Sequence, residues 1–107
     1  MVLRRDPFQA IADPTRRAIL VLLASRTMSA GELALQFDIA RPAVSRHLRI
    51  LNECRLIQAR PEGRQISYAL RIEKLREIDR WLERLRAAWE SRYDQLDSLL
   101  TNLNNGE

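Results

Sequence analysis

The sequence contains few of the residues that build catalytic and metal sites. It has one cysteine, Cys54, one histidine, His47, and three glycines. A lone cysteine forms no internal disulfide, so we expect a reducing, cytoplasmic compartment. A zinc finger is excluded because it needs four cysteine or histidine ligands. No glycine-rich phosphate loop and no nucleophile–base pair is visible, so we do not expect an enzyme.

Long apolar runs are also missing. No stretch approaches the roughly 20 apolar residues that a membrane-spanning helix requires. Residues 1–7 lack the apolar region of a signal peptide. The length of 107 residues favours one domain, and the composition, 46% hydrophobic and 30% charged, is typical of a globular protein.

The positive charge is concentrated in the middle of the chain. Residues 41–64 hold six arginines and two acids, a balance of +4, whereas residues 73–107 have a balance of −2. Seventeen of the 18 basic residues are arginine, whose planar fork suits phosphates and guanine edges. A high genomic GC content would explain the preference for arginine but not the clustering. A central basic block is what a nucleic-acid-binding surface requires.

Two capping signals predict where helices begin. Asp13 can accept hydrogen bonds from free backbone N–H groups, and Pro14 at the first helical position sacrifices no hydrogen bond. Ser29 and Glu32 match the capping box of a second, shorter helix, because hydroxyl and carboxylate stand three residues apart. A four-residue turn over residues 38–41 then leads to a third helix.

The third helix, predicted over residues 42–54, is amphipathic. Its apolar face consists of Val44, Leu48 and Leu51. Its opposite face offers donors to phosphates or base edges, from Arg41, Ser45, Arg46 and Arg49. Two short helices joined by a tight turn form a helix-turn-helix pattern. The alternative interpretation is a solvated arginine face on an ordinary amphipathic helix.

Two strands are predicted next, over residues 56–60 and 65–70, around a turn at residues 61–64. In the second strand the half-buried side is expected to carry Ile66, Tyr68 and Leu70. A two-stranded ribbon directly after the third helix is a wing, and its tip would bring Arg60, Arg64 and Gln65 to a phosphate or a minor groove. The predicted fold is therefore mainly α with a small two-stranded β wing, a winged helix-turn-helix over residues 1–72.

Residues 73–103 contain no glycine or proline and are predicted to form one long helix. Its length would be roughly 45 Å at about 1.5 Å per residue. Apolar residues recur at heptad spacing, namely Leu75, Ile78, Leu82, Leu85, Trp89, Leu96, Leu99 and Leu103. Arg92 interrupts this seam. We expect residues 73–107 to be a dimerisation helix with a short tail; the alternative is a helix packed over its own domain, with residues 96–103 exposed.

Together these residues resemble the ArsR/SmtB-type family of small bacterial winged-helix repressors. The resemblance rests on three segments: residues 8–20 with Asp13-Pro14-Thr15-Arg16-Arg17, residues 41–51 with Arg41-Pro42-Ala43-Val44-Ser45-Arg46-His47, and Gly63-Arg64 with Tyr68. It implies a homodimer on a palindromic double-stranded DNA operator, with the third helix in the major groove and the wing on flanking backbone.

Two sets of site residues follow from the pattern and the resemblance. DNA binding is assigned to Arg41, Pro42, Ser45, Arg46, Arg49, Arg60, Arg64 and Gln65. Dimerisation is assigned to Leu75, Ile78, Leu82, Leu85, Trp89, Leu96 and Leu99.

The sequence departs from the family pattern in three places. Metal-sensing members carry a cysteine pair before the turn, or carboxylates and histidines near the C-terminal helix. Here the segment before the turn has no cysteine and the C-terminal helix no histidine, so we expect neither metal nor cofactor. Ala40 stands where the family often has serine or threonine, which leaves the third helix without a good cap. Cys54-Arg55 replaces a small residue and a glycine at that helix's end.

The sequence therefore predicts a DNA-binding transcriptional regulator, a homodimeric repressor that does not respond to metal. Alternatives are a redox or small-molecule-sensing repressor, and a winged-helix module that binds a protein. An intersubunit disulfide at Cys54 would serve the redox alternative, although we expect Cys54 and His47 to be packed structural residues. Trp81 and Trp89 are either interface residues or the lining of an effector pocket.

Overall fold

The structure, a computed structural model, describes residues 5–105, which form five helices and a three-stranded sheet. In chain order these are α1 (Pro7–Ala10), α2 (Pro14–Ser25), β1 (Met28–Ser29), α3 (Ala30–Phe37), α4 (Arg41–Glu53), β2 (Ile57–Glu62), β3 (Gln65–Leu70) and α5 (Leu75–Asn104). One compact unit ends at Glu77 and a second begins at Ile78. This is the predicted winged helix-turn-helix with a long C-terminal helix. Parts of the predictions for the N-terminal segment and the tail fall on residues 1–4 and 106–107, outside the described residues.

The helices before the turn begin at capped positions, as the sequence predicts. The Asp13 carboxylate accepts the Arg16 backbone N–H at 3.0 Å, with Pro14 at the start of α2. In α3, the Ser29 hydroxyl accepts the Glu32 N–H and the Glu32 carboxylate accepts the Ser29 N–H, both at 3.2 Å. The four-residue helix α1, capped by Asp6, was not predicted, because one turn is too short to show a helical period.

The ends of α4 also follow from local sequence. The helix begins at Arg41, one residue before the predicted start, and Ala40 forms no side-chain cap, as expected. The turn before it places Asp38 in the left-handed region, at φ 50° and ψ 45°, a conformation that aspartate tolerates better than most residues.

A Schellman motif ends α4. The Arg55 N–H donates to the Asn52 carbonyl at 3.0 Å, and the Leu56 N–H donates to the Leu51 carbonyl at 3.1 Å. Arg55 lies in the left-handed region, at φ 61°. This explains why the family pattern has glycine here, since glycine adopts this conformation without steric cost. Leu51 and Leu56 are both fully buried, so the motif is anchored in the core.

The core lies where the helices of the first unit meet the base of the sheet. The predicted apolar face of α4 is confirmed, since Val44, Leu48 and Leu51 are at most 1% exposed. They belong to one cluster with Ala10, Ile19, Leu20, Leu23, Met28, Leu33, Cys54, Leu56 and Ile57. This packing fixes which face of α4 remains in solvent.

The sheet has three antiparallel strands in the order β1-β3-β2, one more than predicted. The extra strand, β1, pairs Met28 with Tyr68 and Ser29 with Ser67. β2 extends to Glu62, so the hairpin turn is only Gly63-Arg64, not the predicted four residues. Gly63 has φ 61°, which a two-residue turn with glycine first requires.

The prediction that Ile66 lies on a half-buried side is wrong. Ile66 is 49% exposed, and Tyr68 and Leu70 are partly buried against the core. The buried residues of β3 are Ser67 and Ala69, each 7% exposed, on the side that the alternation puts in solvent. The alternation of large apolar residues in β3 therefore does not identify its more buried side, which carries the small side chains of Ser67 and Ala69. The only buried residue of β2 is Ile57, at its base.

The long helix α5 is one continuous element of 30 residues. It begins two residues after the predicted start, and residues 79–105 are all exposed. Its charged residues keep its hydropathy below that of a membrane span, and no helix within residues 5–105 is long and apolar enough to cross a bilayer.

Candidate nucleic-acid interface

The exposed face of α4 carries the residues that the sequence assigned to DNA binding. Arg41, Pro42, Ser45, Arg46 and Arg49 are all exposed. At about 100° per residue, Pro42, Arg46 and Arg49 lie opposite the buried stripe, while Arg41 and Ser45 lie on the flank. The packing of the core therefore holds this set of donors in solvent on one rigid helix.

The wing carries the other three predicted residues. Arg60 lies in β2 opposite Ser67, Arg64 forms the turn, and Gln65 begins β3 opposite Glu62. All three predicted side chains are exposed. The hairpin ladder thus presents them from backbone that is hydrogen-bonded on both strands.

The arginines of this face differ from those earlier in the chain. Arg5 pairs with Glu53 at 2.7 Å, Arg26 pairs with Glu32 at 3.2 Å, and Arg17 donates to a carbonyl at 2.8 Å. By contrast, five guanidinium groups form no ion pair or side-chain hydrogen bond with any other residue among 5–105. These are Arg41, Arg46, Arg49, Arg60 and Arg64. Their donors are available to phosphates and base edges.

A cleft of about 330 Å³ joins α4 to the wing, and we call it the wing cleft. Its lining comprises Ser29, Ala30, Gly31, Arg41, Ser45, Arg64, Gln65, Ile66 and Tyr68. Four predicted DNA-binding residues therefore meet in one cavity, two from α4 and two from the wing, at least 19 positions further along the chain. The sequence did not indicate that the β1–α3 junction, residues 29–31, would join them. The pairing of Ser29 with Ser67 brings it there.

A polar cluster fixes α4 against the start of α2. The Arg16 guanidinium donates to the Ala10 carbonyl at 2.9 Å and to the Gln9 carbonyl at 3.0 Å, and lies 3.4 Å from His47 Nδ1. His47 Nδ1 is 3.9 Å from the Asp13 carboxylate. The backbone N–H of Arg16, hydrogen-bonded to this carboxylate, lowers the pKa of Asp13, and the neighbouring His47 and Arg16 charges act in the same direction. His47 is thus the packed, polar contact residue that the sequence predicted.

Cys54 is buried, as expected of a small apolar core residue, with 2% of its surface exposed. Burial raises the pKa of its thiol above the ordinary value. Reactive cysteines instead have lowered pKa values and exposed sulfur, so this environment disfavours an intersubunit disulfide. Within the described residues, no three His, Cys, Asp or Glu side chains are grouped so that they could hold a metal ion.

The residues assigned to dimerisation lie along α5. Leu75 and Ile78 are partly buried, while Leu82, Leu85, Trp89, Leu96 and Leu99 are between 37% and 57% exposed. Beside Arg92, which interrupts the seam, the rings of Trp89 and Tyr93 pack edge to face with centroids 5.7 Å apart. The Arg92 guanidinium lies 5.6 Å from the Trp89 ring centroid, so an aromatic ring lies beside the arginine that interrupts the apolar seam. Trp81 is 44% exposed.

Known proteins of similar sequence and fold are bacterial regulators. Residues 13–59 match the family described as "Bacterial regulatory protein, arsR family". The transcriptional repressor SdpR of Bacillus subtilis is 41% identical over 75 residues, which cover 70% of this chain and 83% of SdpR. The regulator Rv2034 of Mycobacterium tuberculosis is 48% identical over 63 residues, 59% of each chain. The structure of an ArsR-like transcriptional regulator from Rhodococcus sp. RHA1 superposes with a TM-score of 0.73 at 34% identity, covering 86% of this chain and 87% of that one.

Proposed function

Since the chain belongs to the ArsR family of bacterial regulatory proteins, which are DNA-binding transcriptional regulators and not enzymes, we propose that it is a homodimeric repressor. In this proposal the repressor binds a palindromic operator, and its binding does not respond to metal. The observation that carries this proposal is the set of five exposed arginines on α4 and the wing that form no ion pair within residues 5–105. Phosphate contacts from these side chains would supply most of the affinity and a steep salt dependence.

Within this proposal α4 reads the operator in the major groove. Arg46 and Arg49 lie on the outermost face of the helix, where a guanidinium can bind guanine O6 and N7 together. The wing residues Arg60, Arg64 and Gln65 would contact the flanking backbone. Contacts of the first kind specify sequence, and those of the second kind fix the register of the protein on the duplex.

The dimer would form through the heptad seam of α5. Seven large apolar side chains between Leu82 and Leu103 on this seam or beside it are at least half exposed in a single copy, namely Leu85, Trp89, Tyr93, Leu96, Leu99, Leu100 and Leu103. A second α5 would remove this surface from water. Two-fold symmetry presents two α4 helices to the DNA, which is why the operator would be palindromic.

The name of one relative supports repression, and the ligand chemistry supports independence from metal. SdpR is named a transcriptional repressor. The sequence offers one cysteine and one histidine, which is fewer soft ligands than transition-metal sites use. The buried Cys54 disfavours the redox alternative, and the basic face of α4 disfavours a module that binds proteins.

Fluorescence anisotropy tests the proposal with labelled duplexes from the protein's own upstream region, a shuffled duplex of the same composition, and two salt concentrations. We expect tight, salt-sensitive binding that prefers the natural sequence. Arg46→Ala and Arg49→Ala should each lose roughly 1–3 kcal/mol of operator affinity. The matched control, Arg80→Ala, removes one positive charge from the side of α5 opposite the heptad seam and should lose little operator affinity.

Unchanged affinity in both α4 variants would contradict the assignment of α4 as the recognition helix. Absence of binding to any duplex at low salt would overturn the DNA-binding proposal as a whole. If the upstream region is bound no better than its shuffled control, selection from fragmented genomic DNA would locate the operator elsewhere.

A further inference from the structure

We propose that the wing cleft binds one phosphate group of the DNA backbone, held between the guanidinium groups of Arg41 and Arg64. This inference rests on the proposed function and assigns to the cleft a role distinct from base reading. Arg41 reaches the cleft from the first turn of α4, and Arg64 reaches it from the turn of the wing.

The charge of the wing cleft favours an anion. Its lining includes two arginines and no carboxylate. A second cavity of comparable volume, about 270 Å³, lies beside Cys54, and the charges of its lining cancel. Its lining has three cations, Arg5, Arg55 and Lys74, and three acids, Asp6, Glu53 and Glu77. The positive charge is therefore uncompensated in the wing cleft and balanced in the second cavity.

The polar groups around the two arginines suit phosphate oxygens. Ser45 and Gln65 contribute a hydroxyl and an amide that can donate hydrogen bonds. The first turn of α3, residues 30–31, also lines the cleft. Within residues 5–105 neither arginine is engaged by another side chain, so neither must break a bond to bind.

The apolar part of the lining distinguishes a DNA phosphodiester from a free phosphate ion. Ile66 and Tyr68 form a wall beside the charged groups, and Ile66 keeps 49% of its surface exposed. A phosphodiester is flanked by deoxyribose, whose carbon atoms can pack on such a wall, whereas inorganic phosphate has no apolar portion. This also accounts for an exposed isoleucine near the tip of the wing.

The test combines single-phosphate neutralisation with arginine variants. A series of operator duplexes, each with one uncharged methylphosphonate, is titrated against the wild type, Arg41→Gln, Arg64→Gln and the double variant, with Arg80→Gln as the control of equal charge loss for the single variants. For the wild type and Arg80→Gln, one position per half-site should cost about 10-fold or more in affinity. For the double variant the same position should cost less than about twofold, because the contact is already lost. The double variant should also lower the salt slope by about 0.9 per subunit, the value for one phosphate.

The outcomes separate this inference from the function on which it rests. If the variants bind the operator but every methylphosphonate costs them what it costs the wild type, the cleft holds no phosphate and the inference fails, while the DNA-binding function stands. If inorganic phosphate binds the wild type but not the double variant and, at constant ionic strength, does not displace the operator, the cleft is a free-anion site and the inference is also overturned. If the wild type binds no duplex, the proposed function itself has failed.

Discussion

Replacing Leu99 with alanine should weaken the association of two copies while leaving the single copy as stable as before. Leu99 is 57% exposed and lies on the heptad seam of α5. The change removes three carbons, worth about 0.8 kcal/mol each when fully buried. Scaled by the exposed fraction that a partner can cover, the loss is about 1.4 kcal/mol per copy and about 3 kcal/mol per dimer. This corresponds to a roughly 100-fold higher dimer Kd.

The matched control is Leu35→Ala, the same chemical change on α3. Leu35 is 86% exposed and lies outside the seam. Alanine favours helix at both positions, so neither variant should lose helical content. Sedimentation velocity over a range of concentrations measures the dimer Kd, and circular dichroism at dilutions where only monomer is present compares thermal unfolding.

We expect a large increase in Kd for Leu99→Ala and none for Leu35→Ala. A Kd within twofold of wild type for Leu99→Ala would refute the assignment of the seam to dimerisation. Equal weakening by both variants would also refute it, since the effect would then depend on exposed leucine in general.

Two further predictions concern the end of α4. Arg55→Gly should stabilise the protein by about 0.5–1 kcal/mol in urea unfolding, because glycine relieves the steric cost of φ 61° and part of this gain is offset by chain entropy. Arg55→Ala, which removes the charge but keeps the Cβ, should show no such gain; equal stability of the two variants would contradict the argument from backbone strain. Cys54 should react slowly with an aromatic disulfide reagent at pH 8 and rapidly after unfolding in urea, because burial leaves 2% of it exposed and raises its pKa. Rapid labelling of the native protein would show that this end of α4 opens.

The features that sequence predicted best depend on residues a few positions apart. The Asp13 cap and the capping box of Ser29 and Glu32 involve partners three residues away, and both were confirmed. The apolar stripe of α4 was confirmed because one helical period is enough to define a face. These are local interactions, so a single chain without any comparison shows them.

Features that depend on tertiary pairing were missed. β1 is two residues long and exists through its register with Tyr68 and Ser67, 38 or more positions along the chain. The same pairing brings the start of α3 to the wing cleft, so a third of that cavity had no signal in the sequence. The period of two placed Ile66 on the half-buried side, although Ile66 is 49% exposed and the buried residues of β3 are Ser67 and Ala69. Sequence patterns show which side of an element is apolar, but not which side the neighbouring elements cover.

Arginine composition alone does not distinguish arginines that stabilise the fold from arginines that are available to bind DNA, whereas the structure does. Arg16 donates to the carbonyls of Gln9 and Ala10 at the end of α1, and Arg5 pairs with Glu53, so these side chains stabilise the fold. Arg46 and Arg49 form no such bonds within residues 5–105 and cover none of the buried stripe. Replacing them removes no side-chain hydrogen bond from residues 5–105. A loss of DNA affinity in the Arg46 and Arg49 variants therefore measures contacts with DNA. A loss of DNA affinity in an Arg16 variant would also include the effect of displacing α4.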